Sequence, residues 1–265
     1  MTWVIGAASL FSRAALISDV RVRFQDGTTA DMLQKAYPIG NYVAAGFAGS
    51  VRIGFELISS LRNLLPPQLI AGGYACDPVE VVNAWVPYAK EIFRQASQAE
   101  RSLNAHILLV GASPTENMGS PQFPKIHLIR MVAPHFVPGF FNQGLRMCSI
   151  GTGAQVADYK RALRPLFRNS SGVHQAHMVG IHHWAHTLGH CVSTTVRDSM
   201  HQGFSASFHI IGLTLGDMAV MTNDMTTYPL NAPPTELTMP QVAQSWDQFD
   251  EMAKARARAS ACAAC

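Results

Sequence analysis

The stretch Thr2-Trp3-Val4-Ile5-Gly6-Ala7 reads as an apolar strand with a hydroxyl residue at its head, directly behind Met1. Removal of Met1 would make Thr2 the first residue of the chain. A threonine at the amino terminus carries a hydroxyl nucleophile and a free α-amine together. That amine, with an ordinary pKa of about 7.7 to 8.0, can take the hydroxyl proton, so one residue supplies both nucleophile and base. Met-Thr begins many ordinary proteins, and the dipeptide alone therefore decides nothing. The segments behind it carry the decision.

Three segments come next: Ile17-Ser18-Asp19-Val20-Arg21, then Leu33-Gln34-Lys35-Ala36-Tyr37-Pro38-Ile39, then Val43-Ala44-Ala45-Gly46-Phe47-Ala48-Gly49-Ser50, with an amphipathic helical pattern behind them. In this order they resemble the proteasome β-type family of N-terminal nucleophile (Ntn) hydrolases, most closely its bacterial HslV-like and ancestral proteasome-like branches. The resemblance implies that Thr2 is the nucleophile and that Asp19 and Lys35 are the charged pair beside it, with Arg21 two residues after the aspartate. It also implies that Gly49 is the turn glycine whose N–H forms the oxyanion hole.

The chemistry explains these residue types. A lysine ammonium near the threonine raises the local positive potential and favours proton loss from the nucleophile and its amine, while an aspartate fixes the lysine. A glycine N–H aimed at the developing oxyanion contributes about 2.7 to 4 kcal/mol in comparable acyl transfers. The competing reading of Asp19 and Lys35 is a solvated ion pair at strand ends, worth about 0 to 1 kcal/mol.

The resemblance extends to Met147-Cys148-Ser149-Ile150-Gly151-Thr152-Gly153-Ala154. The family has an Ile-Gly-Ser-Gly pattern there, so Thr152 and Gly153 are expected to line the site, a threonine keeping the hydroxyl and adding a methyl. Thr194 to His201 resembles the Arg-Asp segment at the end of the family's fourth helix. Asp198 is then the acidic residue supporting the threonine, and His201 stands where the family has a small or hydroxyl residue. Two further departures point to a divergent bacterial branch. The spacing from Thr2 to Asp19 is one residue longer than is common, an insertion that a turn around residues 9–13 would absorb, and Trp3 is bulky for its position.

Composition fits one globular domain with a sizeable core: 265 residues, 48% hydrophobic and 14% charged. A net charge of +3, from 20 basic and 17 acidic residues, is too balanced to call for a nucleic-acid or anionic-membrane partner. No run approaches the 18 or so apolar residues of a membrane-spanning helix, and Arg13 interrupts the apolar start that a signal peptide would need intact. The expected location is cytoplasmic. Cys76, Cys148, Cys191, Cys262 and Cys265, odd in number and irregularly spaced, fit a reducing compartment. The final Cys262-Ala263-Ala264-Cys265 reads as chance composition of an Ala-rich tail rather than a prenylation box or ligand pair.

Periodicity places strands at residues 2–8, 14–24, 34–39 and 42–48, with a turn at Asp26-Gly27. A helix runs from Val51 to about Leu65. A second helix starts at Asp77 as N-cap with Pro78 at its first position, and is expected to reach about Ser102. A strand pair at 106–111 and 125–132 and a closing hairpin at 208–215 and 216–221 complete the pattern. Periodicity alone licenses an α+β domain; the resemblance implies a four-layer αββα sandwich of the proteasome-subunit type.

Within a further predicted helix, His182, His186 and His190 share a face at i, i+4, i+8, with His174, His177 and His183 close by. Such spacing can bind zinc, but no Glu sits within the pair as a metalloprotease base. The reading taken is structural packing, with no metal and no cofactor. Residues 1–228 form the expected Ntn-hydrolase domain, and residues 229–265 a C-terminal extension of Pro-rich linker, helix from about Met239 to Arg258, and tail.

The expected function is that of an N-terminal threonine peptidase, activated by removal of Met1, acting on peptide or unfolded-protein substrates through an acyl-enzyme. The resemblance implies a ring-shaped homo-oligomer and leaves room for a separate ATP-driven unfoldase, since this chain has no phosphate-binding loop. The alternatives are a non-catalytic ring or scaffold protein on the same fold, and an Ntn amidohydrolase acting on a small amide.

Overall fold

A computed structural model describes residues 2–8, 13–40, 42–65, 77–113, 125–141, 146–155, 185, 187–189, 192, 205, 207–214, 217–222 and 240–263. Its frame is a pair of five-stranded sheets in which every neighbouring pair of strands is antiparallel. The first sheet holds β1 (Val4–Ala8), β2 (Ala14–Asp19), β10 (Arg146–Ile150), β11 (Phe208–Thr214) and β12 (Asp217–Thr222), in the order β10-β1-β2-β11-β12. The second holds β5 (Ala36–Gly40), β6 (Val43–Gly49), β7 (Ala105–Ser113), β8 (Lys125–Val132) and β9 (Gly139–Phe140), in chain order. A separate hairpin pairs β3 (Arg21–Arg23) with β4 (Thr29–Asp31).

Every residue of β1 and β2 is buried. β1 and the first four residues of β2 are accordingly continuous apolar runs rather than alternations, because both faces of the sheet are covered. Between the sheets, Val4, Ala8 and Leu16 pack with Ala44, Ala48, Leu108, Val110 and Leu128. On the outer face of the second sheet, Phe47, Ile107 and Leu109 pack under α1 (Val51–Leu64) and α2 (Pro78–Gln95) through Ile53, Leu57 and Trp85. On the outer face of the first, Trp3, Ile5, Ile17 and Ile210 pack against the helical residues Ala185, Leu188 and Val192. Helix, sheet, sheet and helix stack in that order, so the architecture is the expected four-layer αββα sandwich.

Local chemistry sets the helix ends. Ser50 caps α1, its hydroxyl accepting from the Ile53 N–H, and Asp77 caps α2 through the Val79 N–H, with Pro78 at the first position. Where one helix to Ser102 is expected, α2 stops at Gln95 and a short α3 (Gln98–Ser102) restarts, because the Ser97 hydroxyl caps the Glu100 N–H. Pro87 lies inside α2 and does not end it.

The expected strand 14–24 is likewise two. β2 ends at Asp19, and the Val20 carbonyl leaves the sheet to accept from the N–H groups of Met32 and Leu33, both at 3.1 Å.

The C-terminal segment folds back on the same chain. Ala243 donates its N–H to the Met32 carbonyl at 2.8 Å, and its own carbonyl accepts from the Gln34 N–H at 3.0 Å. The last helix, α4 (Trp246–Ala263), starts later than the pattern indicates and buries Phe249 in the α1–α2 cluster. Among the described residues, no helix is long and apolar enough to cross a membrane.

Candidate active site

The site is organised by the first residues of β1. Trp3, Ile5 and Ala7 turn to the outer cluster, while Val4 and Ala8 turn to the layer between the sheets. Thr2 is in phase with Val4, so it stands at the mouth of that layer, half-buried. The bulk of Trp3 is accommodated on the opposite face, where the indole is 1% exposed.

A tight turn after β10 grips Thr2. The Thr2 nitrogen donates to the Thr152 hydroxyl at 3.1 Å, and the Thr2 carbonyl accepts from the Gly153 N–H at 3.1 Å. Gly151 makes this possible: its φ is +87°, and a Cβ there would lie 2.2 Å from the Thr2 carbonyl oxygen. A Cβ at residue 153 would lie 2.5 Å from Trp3 Cγ. The expected Thr152 and Gly153 are therefore both at Thr2, in a 3-10 turn from Thr152 to Gln155.

Asp19 ends β2 beside the start of β1. Its Oδ1 accepts from the Trp3 N–H at 2.8 Å and from Lys35 Nζ at 2.8 Å, and its Oδ2 accepts from the Arg21 N–H at 3.2 Å. Lys35 Nζ also donates to the Arg21 carbonyl at 2.6 Å. The side chains of Lys35 and Asp19 are 1% and 0% exposed, which rules out the solvated-pair reading. Burial draws the Lys35 ammonium below its ordinary pKa, against the opposing pull of the Asp19 charge and hydrogen bond. One carboxylate oxygen thus ties the residue after Thr2 to a buried ammonium.

Arg21 contributes its backbone to Lys35 and its side chain elsewhere. The guanidinium binds Asp31 in a fork, Nε to Oδ1 at 2.6 Å and a terminal nitrogen to Oδ2 at 3.0 Å. Buried Ser205 donates its hydroxyl to the same Oδ2 at 2.7 Å. Asp31 and Ser205 were not anticipated from the sequence. Counting outward from a two-residue Asp26-Gly27 turn would set Arg21 opposite Met32; the observed register centres on Asp26 instead, pairing Arg23 with Thr29, Val22 with Ala30 and Arg21 with Asp31, and so sets opposite charges face to face.

Gly49 ends β6 with φ +103°, and a Cβ there would lie 2.3 Å from the Asn104 carbonyl oxygen. Its tight approach is thus to the turn before β7. The glycine of β6 packed towards β1 is Gly46, where a Cβ would lie 2.7 Å from Val4 Cγ1 and 3.2 Å from the Lys35 carbonyl oxygen. Asp198, His201 and the histidines at 174, 177, 182, 183, 186 and 190 lie outside the described residues. Among the described residues, no group of three or more His, Cys, Asp or Glu is placed to hold a metal ion.

Among solved structures, the chain is similar to Anbu (ancestral beta-subunit) from Yersinia bercovieri, with a TM-score of 0.57 at 14% identity, over 84% of this chain and 88% of that one. The fold is the Ntn-hydrolase sandwich. Eukaryotic HslV from Trypanosoma brucei aligns with a TM-score of 0.48 at 15% identity, over 80% of this chain and 99% of that one. No protein-family model and no curated protein matches the sequence. On the Ntn-hydrolase sandwich of this chain, Thr2, Thr152, Gly153, Asp19 and Lys35 form one connected group at the head of β1.

Proposed function

We propose that this protein is a proteasome-like threonine peptidase whose nucleophile is the Thr2 hydroxyl, exposed for catalysis by removal of Met1. The observation that carries the reading is the buried chain Trp3 N–H, Asp19 carboxylate, Lys35 ammonium, directly behind Thr2. A buried ion pair is weak evidence of stability, because desolvation offsets much of the attraction. At the head of a strand that begins with a potential nucleophile, its function is electrostatic.

In the proposed reaction the Thr2 Oγ attacks a peptide carbonyl while the Thr2 amine, freed from Met1, takes the hydroxyl proton. The Thr152 hydroxyl, already bonded to that nitrogen, orients the amine. The Lys35 ammonium favours the deprotonated nucleophile, and the Gly49 N–H holds the oxyanion. The amine returns its proton to the leaving group, and water then hydrolyses the acyl-enzyme. Asp198 and His201 retain the supporting roles expected from the sequence. A homo-oligomeric ring in the cytoplasm belongs to the same proposal.

The test is the intact mass of the protein with and without a peptide epoxyketone, whose two-point capture requires a hydroxyl and a free amine on one residue. Loss of Met1 with one adduct mapped to Thr2 is the expected result, and Thr2→Ala should abolish both adduct and peptide turnover while the protein stays folded. Undiminished turnover in Thr2→Ala overturns the assignment. Turnover of small amides but not peptides would move the substrate class to that of an amidohydrolase.

A further inference from the structure

The Lys35 ammonium has two described acceptors, and they are secured differently. Asp19 is buried in the sheet and fixed by two backbone N–H groups. The other acceptor, the Arg21 carbonyl at 2.6 Å, belongs to the two-stranded hairpin outside both sheets. Its position depends on what holds Arg21. The Arg21 N–H is held by Asp19, and its side chain is anchored by Asp31, the cross-strand partner of Arg21, whose carboxylate takes the guanidinium in a two-point fork. Ser205, near the start of β11, fastens the same carboxylate to the first sheet by a 2.7 Å bond, and its oxygen in turn accepts from the Ser207 N–H at 3.0 Å. The Arg21 and Asp31 side chains are 24% and 26% exposed. They line an open cleft of about 650 Å³ that Met252 and Arg256 of α4 border from the far side.

We propose that Asp31 is a positioning residue for Lys35: through the Arg21 guanidinium it fixes the carbonyl that receives the second hydrogen bond of the buried ammonium. This rests on the reading that Lys35 serves Thr2. The geometry has an electrostatic counterpart. Burial pushes the Asp31 carboxyl up, but the bonds from Arg21 and Ser205 and the charges of Arg21 and Lys35 outweigh it, so the group is held below its ordinary pKa and stays ionised. Its negative charge in turn favours the Lys35 ammonium, while the Arg21 charge disfavours it. Neutralising Asp31 therefore removes a charge that favours the ammonium and leaves the opposing Arg21 charge in place, lowering the pH at which Lys35 loses its proton.

The experiment tracks the Lys35 side chain by NMR of lysine-labelled protein across a pH titration, in the wild type, Asp31→Asn, Ser205→Ala and Asp26→Asn. Asp26→Asn removes the same charge from the tip of the hairpin without touching this network. The expected result is a lower Lys35 midpoint in Asp31→Asn, a smaller shift in the same direction in Ser205→Ala, and no shift in Asp26→Asn. The alkaline limb of epoxyketone capture at Thr2 should move with it. An unchanged Lys35 midpoint in folded Asp31→Asn overturns the proposal, and if that variant does not fold, an unchanged midpoint in Ser205→Ala does so. A wild type that never forms the adduct overturns the peptidase reading instead, and the lysine titration still decides the role of Asp31.

Discussion

Asp19 takes on three hydrogen bonds at zero exposure, from Trp3, Arg21 and Lys35. The energetic consequence is specific. Removing either partner of a buried pair leaves an uncompensated charge at a cost of about 3 to 5 kcal/mol, whereas removing both can be far cheaper. Asp19→Asn and Lys35→Met should each lower stability by about that amount, and the double variant by clearly less than the sum, a coupling that urea unfolding of the four proteins measures. Additive losses would mean that the two charges do not depend on each other. The residue types at Thr2, Asp19, Lys35, Thr152 and Gly153 were legible because each occupies a matching place in a recognisable order. Their burial was not, since a Lys and an Asp 16 positions apart look the same in sequence whether they meet in solvent or in a core. Asp31 was hidden for another reason: Thr29-Ala30-Asp31 is too short and too polar to announce a strand.

The elements most open to reading were those with strong local signals, such as the Asp77-Pro78 start of α2 and the apolar run of β1. The C-terminal segment was harder because its anchoring is entirely tertiary. Ala243 joins the chain at Met32 and Gln34, and α4 lays Phe249 on Phe24, the residue just after β3, with ring centroids 6.3 Å apart. Arg256 of α4 donates to the Thr29 carbonyl of β4 at 3.0 Å and sits 5.8 Å from the Phe24 ring centroid. The helix thus braces the hairpin whose Arg21 carbonyl receives Lys35. Phe249→Ala removes the central contact and should cost about 3 kcal/mol. It should also speed amide hydrogen exchange at Val22 and Ala30 more than at Ile5 and Ile17, because local opening depends on local contacts. Unchanged protection in the hairpin would show that α4 rests on it without supporting it.

At the scale of the whole molecule, three apolar layers have to fold together for the site to exist. Thr2 is placed by a strand that faces the outer layer through Trp3 and the middle layer through Val4, while Lys35 precedes β5 of the opposite sheet, where Phe47 of the neighbouring β6 packs beneath α1. Close-packed layers that share strands transmit disruption to one another, so the sandwich should unfold as one unit even though its clusters are distinct. In sequence, a Pro-rich stretch with a helical pattern behind it suggests a division of the chain at residue 228. The contacts of Ala243 and Phe249 with the α1–α2 cluster argue instead that residues 240–263 share the stability of the sandwich. The tryptophans allow a direct measurement. Trp3 lies in the outer layer of the first sheet, Trp85 in that of the second, and Trp246 on α4 against the latter. In three variants that each keep one of these and replace the other two, and Trp184, by Phe, each fluorescence transition should coincide with loss of the circular dichroism signal of the same protein, the signature of two-state behaviour. A Trp246 transition at lower denaturant than the ellipticity change would make residues 240–263 a separately melting unit, and the hairpin they cover would then be braced only part of the time.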